Sequence, residues 1–186
     1  AIRESRDRVS AALKNSGFRP PHQSGRITVN LAPADLPKIS PIYDVPIALG
    51  LLLATGQAAF LPEGRLFVGE LALDGAIRRV SGILPIALYA KEAGFREMYV
   101  PLENSQEAAL VKGLDIYPVA SLHELTEHLS GQKLLQPFNL ALEEMAEERE
   151  TETDMSYIQG QEQAKRALEI AAAGGHNLLF IGPPGS

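Results

Sequence analysis

Between residues 66 and 129, short apolar runs rich in β-branched residues alternate with amphipathic helical stretches, and this alternation limits the fold more than any other feature of the chain. Residues 66–73 read as a strand, Asp74-Gly75 as a type I′ turn and residues 76–80 as the returning strand. A helix over about 83–93 follows, with Pro85 tolerated in its first turn and Gly94 closing it. Then come a strand at 97–100, a helix at 105–112 stopped by Gly113, a strand at 115–119 and a helix at 122–129. Ser121 and Glu124 stand at capping-box spacing before that last helix. The pattern predicts a mixed α/β (α+β) domain over residues 1–130.

Upstream, residues 2–16 have helical periodicity, with Ile2, Val9, Ala12 and Leu13 on one side and Gly17 as a left-handed stop. Residues 26–31 read as a strand, and a Pro-rich loop runs over 32–41. Asp44 is placed to cap a helix that tolerates Pro46 in its first turn. Residues 47–54 are apolar all round, so this helix is expected to be buried on most sides. Residues 131–153, with Gly131, Pro137 and a Glu-rich run, change character and predict an acidic linker. A second unit is expected over 154–186: a helix at 161–173, a stop at Gly174-Gly175 and an apolar strand at 177–181.

Composition excludes several classes. The longest apolar stretch, around 47–54, is too short to span a bilayer, and the first residues show no apolar signal-peptide core. The chain has 0 cysteines, so it holds no disulfide or thiolate metal site, which fits the cytosol. The net charge of −6 is uneven: Arg3, Arg6, Arg8, Lys14, Arg19 and Arg26 make the beginning basic, while Glu143, Glu144, Glu147, Glu148, Glu150, Glu152 and Asp154 make the linker acidic. The basic helix reads first as a solvated face and second as a nucleic-acid contact.

The chemistry-bearing motif is Gly182-Pro183-Pro184-Gly185-Ser186, directly after the apolar run. In a P-loop, G-x-x-x-x-G-K-[ST], glycines let backbone N–H groups cradle the phosphates, the Lys reaches the outer phosphates and the hydroxyl holds Mg²⁺. The first five positions fit and the last three are absent. In isolation the string also suits a plain turn at a strand end. Because a compact domain does not finish on an incomplete loop, the chain is expected to be a piece cut within this motif.

Tyr157-Ile158-Gln159-Gly160-Gln161, leading into Glu162 and the helix beyond it, resembles the entry segment of AAA+ ATPases. That resemblance places Tyr157, Ile158 and Gly160 on the adenine side of a nucleotide. Further matches are Arg3-Glu-Ser-Arg-Asp-Arg-Val, Asn15-Ser-Gly-Phe18, Ile27-Thr-Val-Asn-Leu-Ala-Pro-Ala-Asp-Leu-Pro-Lys38, Tyr43-Asp-Val-Pro-Ile-Ala-Leu-Gly50 and Gly69-Glu-Leu-Ala-Leu-Asp-Gly75. Together they resemble the ComM/YifB branch of magnesium-chelatase-like AAA+ proteins over essentially the whole chain. The resemblance implies a Lon-protease-like, non-catalytic domain over 1–130 with its first strands missing. After it comes a P-loop AAA+ fragment truncated within Walker A, over 154–186.

A Lon-like fold raises peptidase chemistry, which needs a Ser–Lys dyad. Matched to Lon's motifs, Ser40-Pro-Ile-Tyr-Asp44 places Ile42 at the nucleophile, and Ser81-Gly-Ile-Leu84 places Leu84 at the lysine. Both groups are hydrocarbon here, and Lys38 with Ser40 makes a poor substitute, so no catalytic residue is expected. His123 and His128 are five apart on a helix and do not share a metal; His22 and His176 read as structural, and Ser5 and Ser10 have no partner base nearby. No metal site is expected.

The resemblance implies a cytoplasmic, hexameric, ATP- and Mg²⁺-dependent helicase that promotes DNA branch migration in natural transformation. On that expectation this chain neither hydrolyses ATP nor binds it tightly, touches DNA weakly or not at all, and has no membrane partner. An ATP-driven remodeller for metal insertion is the alternative, and a pure interaction module the third reading.

Overall fold

The computed structural model describes residues 2–23, 27–31, 41–139 and 155–182. It divides into two units, Ala1–Leu140 and Ala141–Ser186.

The first unit opens with α1 (Ile2–Asn15), whose Val9, Ala12 and Leu13 form a buried i, i+3, i+4 stripe. Gly17, at φ +86°, ends it: Phe18 N–H returns to the Leu13 carbonyl at 2.9 Å and Gly17 N–H to that of Lys14 at 3.2 Å. This is a Schellman closure, and Phe18 lies against the core. Helix α2 (Asp44–Ala54) packs on α1 through Val45, Ala48, Leu49 and Leu52. Its apolar run leaves few polar positions, and the core accepts it accordingly.

Three parallel strands form the sheet in the order β1 (Arg65–Phe67), β4 (Glu97–Pro101), β5 (Asp115–Val119). In register, Phe67 lies beside Tyr99 and Tyr99 beside Tyr117. Because side chains alternate faces along a strand, the two faces collect different residues. Phe67, Tyr99 and Val119 join α1, α2 and α5 (Leu122–Leu129) in one cluster. Met98, Val100 and Ile116 join α3 (Ile83–Glu92) and α4 (Ser105–Ala108) in the other. A parallel sheet covered on both faces explains why its strands read as nearly continuous apolar runs.

A hairpin, β2 (Glu70–Leu71) with β3 (Ile77–Arg78), stands apart from this sheet. It is tied to the β5–α5 junction by Ile77 N–H on the Ala120 carbonyl (2.9 Å) and Leu122 N–H on that of Gly75 (2.9 Å). The expected single strand over 66–73 is therefore split. At the break, a Cβ on Gly69 would sit 2.7 Å from Ile77 Cγ2 and 3.0 Å from Val45 Cγ2, so only glycine lets the chain cross from sheet to hairpin. The turn is not type I′, since Asp74 lacks the positive φ that type requires. Gly75 N–H bonds the Ala72 carbonyl at 3.0 Å and Gly75 alone is left-handed, at φ +90°, which makes a three-residue loop with a glycine bulge.

Other expectations shift for physical reasons. Residues 27–31 form no ladder, and Val29 is half-exposed, so the predicted strand there is absent from its described part. The helix expected over 105–112 is only α4, because Val111 N–H turns back to the Ala108 carbonyl at 3.1 Å. Asp44 does not cap α2; its backbone is already helical and its carboxylate points elsewhere. Half of the Ser121 capping box forms: Glu124 N–H bonds Ser121 Oγ at 3.2 Å, while the Glu124 carboxylate takes the N–H of Ala120, one residue before the cap, at 2.9 Å.

Among the described residues, the second unit has a 3-10 turn, Met155–Tyr157, then α6 (Glu162–Gly174), and no regular element from there to residue 182. Residues 177–181, expected as a strand, pair with nothing among the described residues, and a strand exists only through its neighbours' hydrogen bonds.

Candidate functional site

Three places could carry chemistry: the segment 155–182, the positions matched to a Lon dyad, and the buried polar groups of the α/β unit.

In the segment, Gly160 (φ +72°) and Gln161 (φ +56°) are consecutive left-handed residues, and they turn the chain sharply into α6. Just before this turn, Ile158 N–H closes on the Met155 carbonyl at 3.2 Å, while Tyr157 (72% exposed) and Ile158 present their side chains to solvent. Helix α6 ends in a second Schellman closure: His176 N–H on the Ala171 carbonyl at 2.8 Å, with Gly175 left-handed at φ +63°. The tail then carries Leu178, Leu179, Phe180 and Ile181, all exposed, to Gly182. Of the predicted partial P-loop, Gly182 is described; Pro183, Pro184, Gly185 and Ser186 lie outside the described residues.

Ile42 and Leu84, the two dyad positions, both pack on the cluster of Met98, Val100 and Ile116. Neither side chain can attack a carbonyl or move a proton. The backbone around them is held by polar contacts instead: Gly69 N–H on the Ile42 carbonyl at 3.1 Å and Leu84 N–H on Glu107 Oε1 at 3.2 Å. Lys38 and Ser40 lie outside the described residues.

Asp44 is fully buried and its carboxylate is saturated. Arg8 forks onto it, Nε to Oδ2 at 2.8 Å and a terminal nitrogen to Oδ1 at 3.2 Å. Ser5 Oγ donates to Oδ1 at 2.5 Å and Leu71 N–H to Oδ2 at 3.3 Å. Hydrogen bonding to Asp44 holds the Arg8 guanidinium above its ordinary pKa. With its lone pairs occupied this way, Asp44 fastens α1, α2 and the hairpin together and is no free base. Ser5, expected to have no partner base, and Asp44, expected to cap α2, are bonded to each other instead. The overlooked signal is a carboxylate opening an apolar helix, which demands a cation, and Ser5 and Arg8 lie three apart on one helix face.

His128 also lies in a network. Its Nε2 meets Tyr99 Oη at 3.0 Å, Tyr99 donates to Glu97 Oε2 at 2.7 Å, and Glu97 pairs with Arg65 at 2.7 Å. Burial, chiefly, pushes Tyr99 and Tyr117 above the usual phenol range and His128 below the usual imidazole range. His123 is exposed beside Glu127 at 3.5 Å, so the two histidines do not converge. Among the described residues no cluster could hold a metal ion, and no helix is long and apolar enough to cross a membrane. Glu143, Glu144, Glu147 and Glu148 lie outside the described residues. A shallow groove of about 320 Å³ between residues 27–31 and α2 is lined by Ile27, Val29, Leu31, Tyr43, Ile47 and Leu51.

Comparison with known proteins gives the family. Residues 1–104 match the model of subunit ChlI of Mg-chelatase, and residues 154–186 match a second model described as magnesium chelatase, subunit ChlI. The chain is 44% identical over its whole length to the competence protein ComM of Haemophilus influenzae and 45% identical to the uncharacterized protein YifB of Escherichia coli, spanning 36% of each. It is also 25% identical over 125 residues, 66% of the chain and 22% of the relative, to Lon protease 2 of Bacillus subtilis. That likeness agrees with the parallel-stranded α/β unit, which is Lon-like. The chain belongs to the magnesium-chelatase ChlI family, in its ComM/YifB type.

Proposed function

We propose that this chain is part of a hexameric, ATP-driven DNA motor that promotes branch migration while single strands are taken into a duplex. The observation that carries this reading is the 44% identity, over all of the chain, to a protein named for competence. The Lon-like unit serves as a non-catalytic module for assembly or for guiding the substrate: the sequence match to Lon's motifs puts the hydrocarbons Ile42 and Leu84, both packed on the core, at the nucleophile and lysine positions.

The residues of the second unit suit ATP as far as they extend. Exposed Tyr157 and Ile158, beside the left-handed Gly160, would lie against the base, and Gly182 would open the loop around the phosphates. When bound, ATP supplies the free energy for movement along DNA, with Mg²⁺ neutralising its phosphates.

The full-length parent should extend a three-strand exchange intermediate only when ATP is present, and extension unchanged by ATP would reject the motor. The two family descriptions, both of a magnesium chelatase subunit, favour a second reading, an ATP-driven remodeller that assists metal insertion. Such a protein would leave DNA intermediates untouched.

A further inference from the structure

We propose that His128 is a proton-operated latch, which holds the chain leaving the α/β unit against the sheet and lets it go when the ring takes a second proton. The held stretch is residues 134–138. It is fixed at two points: Leu135 N–H donates to His128 Nδ1 at 2.9 Å, and Phe138 N–H donates to the Ile116 carbonyl of β5 at 2.7 Å. Leu135 also packs its side chain on the core, while Leu134 faces solvent.

The hydrogen bonds settle the tautomer. A backbone N–H can only donate, so Nδ1 carries the lone pair and the ring proton sits on Nε2. That proton points at Tyr99 Oη, 3.0 Å away, whose own proton goes to Glu97. The ring is further held between aromatic neighbours, with centroids 5.5 Å from Tyr99 and 5.2 Å from Tyr117. A second proton has one place to go, Nδ1, and would set two donors against each other at the Leu135 amide. The Phe138 contact is then a lone backbone bond at the end of a loosened segment.

The charges around the ring do not prevent this. Arg65 faces it from β1 and Glu97 from β4, but these two are paired with each other at 2.7 Å, so their effects on the imidazole oppose. Tyr99 from β4 and Tyr117 from β5 stay neutral phenols, with Asp115 at the exposed start of β5. Lys133, on the held stretch's approach, has its N–H on the Glu127 carbonyl at 3.3 Å, and His123 and Glu127 of α5 pair with each other. Burial has the largest effect and favours the neutral ring.

The direction follows. The folded ring binds its proton more weakly than a free imidazole, so the latch is intact above about pH 6.5 and weakens as pH falls below it. Released, the five residues fully extended span at most about 17 Å.

Amide hydrogen exchange of the whole chain, followed residue by residue by NMR between pH 7.5 and 5, tests this. Corrected for intrinsic rates, Leu135 protection should fall by up to about tenfold for each pH unit below about 6.5, while Met98 and Val100 keep theirs. His128→Asn keeps an acceptor near Nδ1 and does not titrate, so its Leu135 protection should hold steady with pH. His128→Phe keeps the packing without the acceptor and should leave Leu135 unprotected throughout. Constant wild-type protection overturns the latch, as does the same fall in His128→Asn, or a parallel loss at Met98 and Val100, which would mean unfolding of the unit.

Discussion

Helix α2 and the tail of residues 178–181 are built from the same kind of residue and meet opposite fates. Leu52 of α2 has no exposed surface; Leu179 and Ile181 are 80% and 91% exposed. Propensity does not separate them. The difference is neighbours: α2 has α1, the hairpin and the sheet's aromatic face against it, whereas the tail has no strand beside it among the described residues. An apolar string specifies that a segment wants to be covered, and the rest of the fold decides whether it is. In the α/β unit the covering is complete enough to bury even a carboxylate; in the second unit α6 has no buried residue at all.

Substitutions can break this contrast. Asp44→Ala should cost the α/β unit most, about 3–5 kcal/mol toward the lower end because Arg8 keeps some solvent contact, since it orphans the guanidinium and Leu71 N–H. Urea unfolding measures it, and a loss under about 1 kcal/mol would show that the network merely decorates the core. Leu52→Ala should cost about 2–4 kcal/mol by the same measurement, through the cavity it leaves. Gly75→Ala should cost about 1–2 kcal/mol: φ is +90°, and the new methyl would collide with Ser16 Oγ, itself buried without a partner. At the small end, Ile181→Ser should change unfolding by under about 0.5 kcal/mol while lowering concentration-dependent light scattering. A large destabilisation there would place the tail in a core.

How far the sequence was readable follows the same division. Strand β5 and helix α5 were legible to the residue, because their apolar period, the Gly113 stop and the Ser121 cap all lie within a few positions. Helix α6, expected over 161–173, lies one residue on at Glu162–Gly174, its end marked by Gly174-Gly175. What escaped depends on distant partners. Asp44 looked like a cap because Arg8 and Leu71 are far away in sequence, and the strand over 66–73 looked continuous because Gly69's crowding comes from Val45 and Ile77. From sequence His128 was weighed only against His123, since Tyr99 and the Leu135 amide meet it only after folding. The hydrocarbon positions Ile42 and Leu84 were visible from sequence, but only through resemblance to Lon.

In the proposed function the chain serves a DNA-directed ATPase. The most direct measurement is the ATPase rate of the full-length parent with and without branched DNA. Branched DNA should stimulate turnover strongly; steady turnover indifferent to DNA would reject the DNA motor and bring the metal-insertion reading forward.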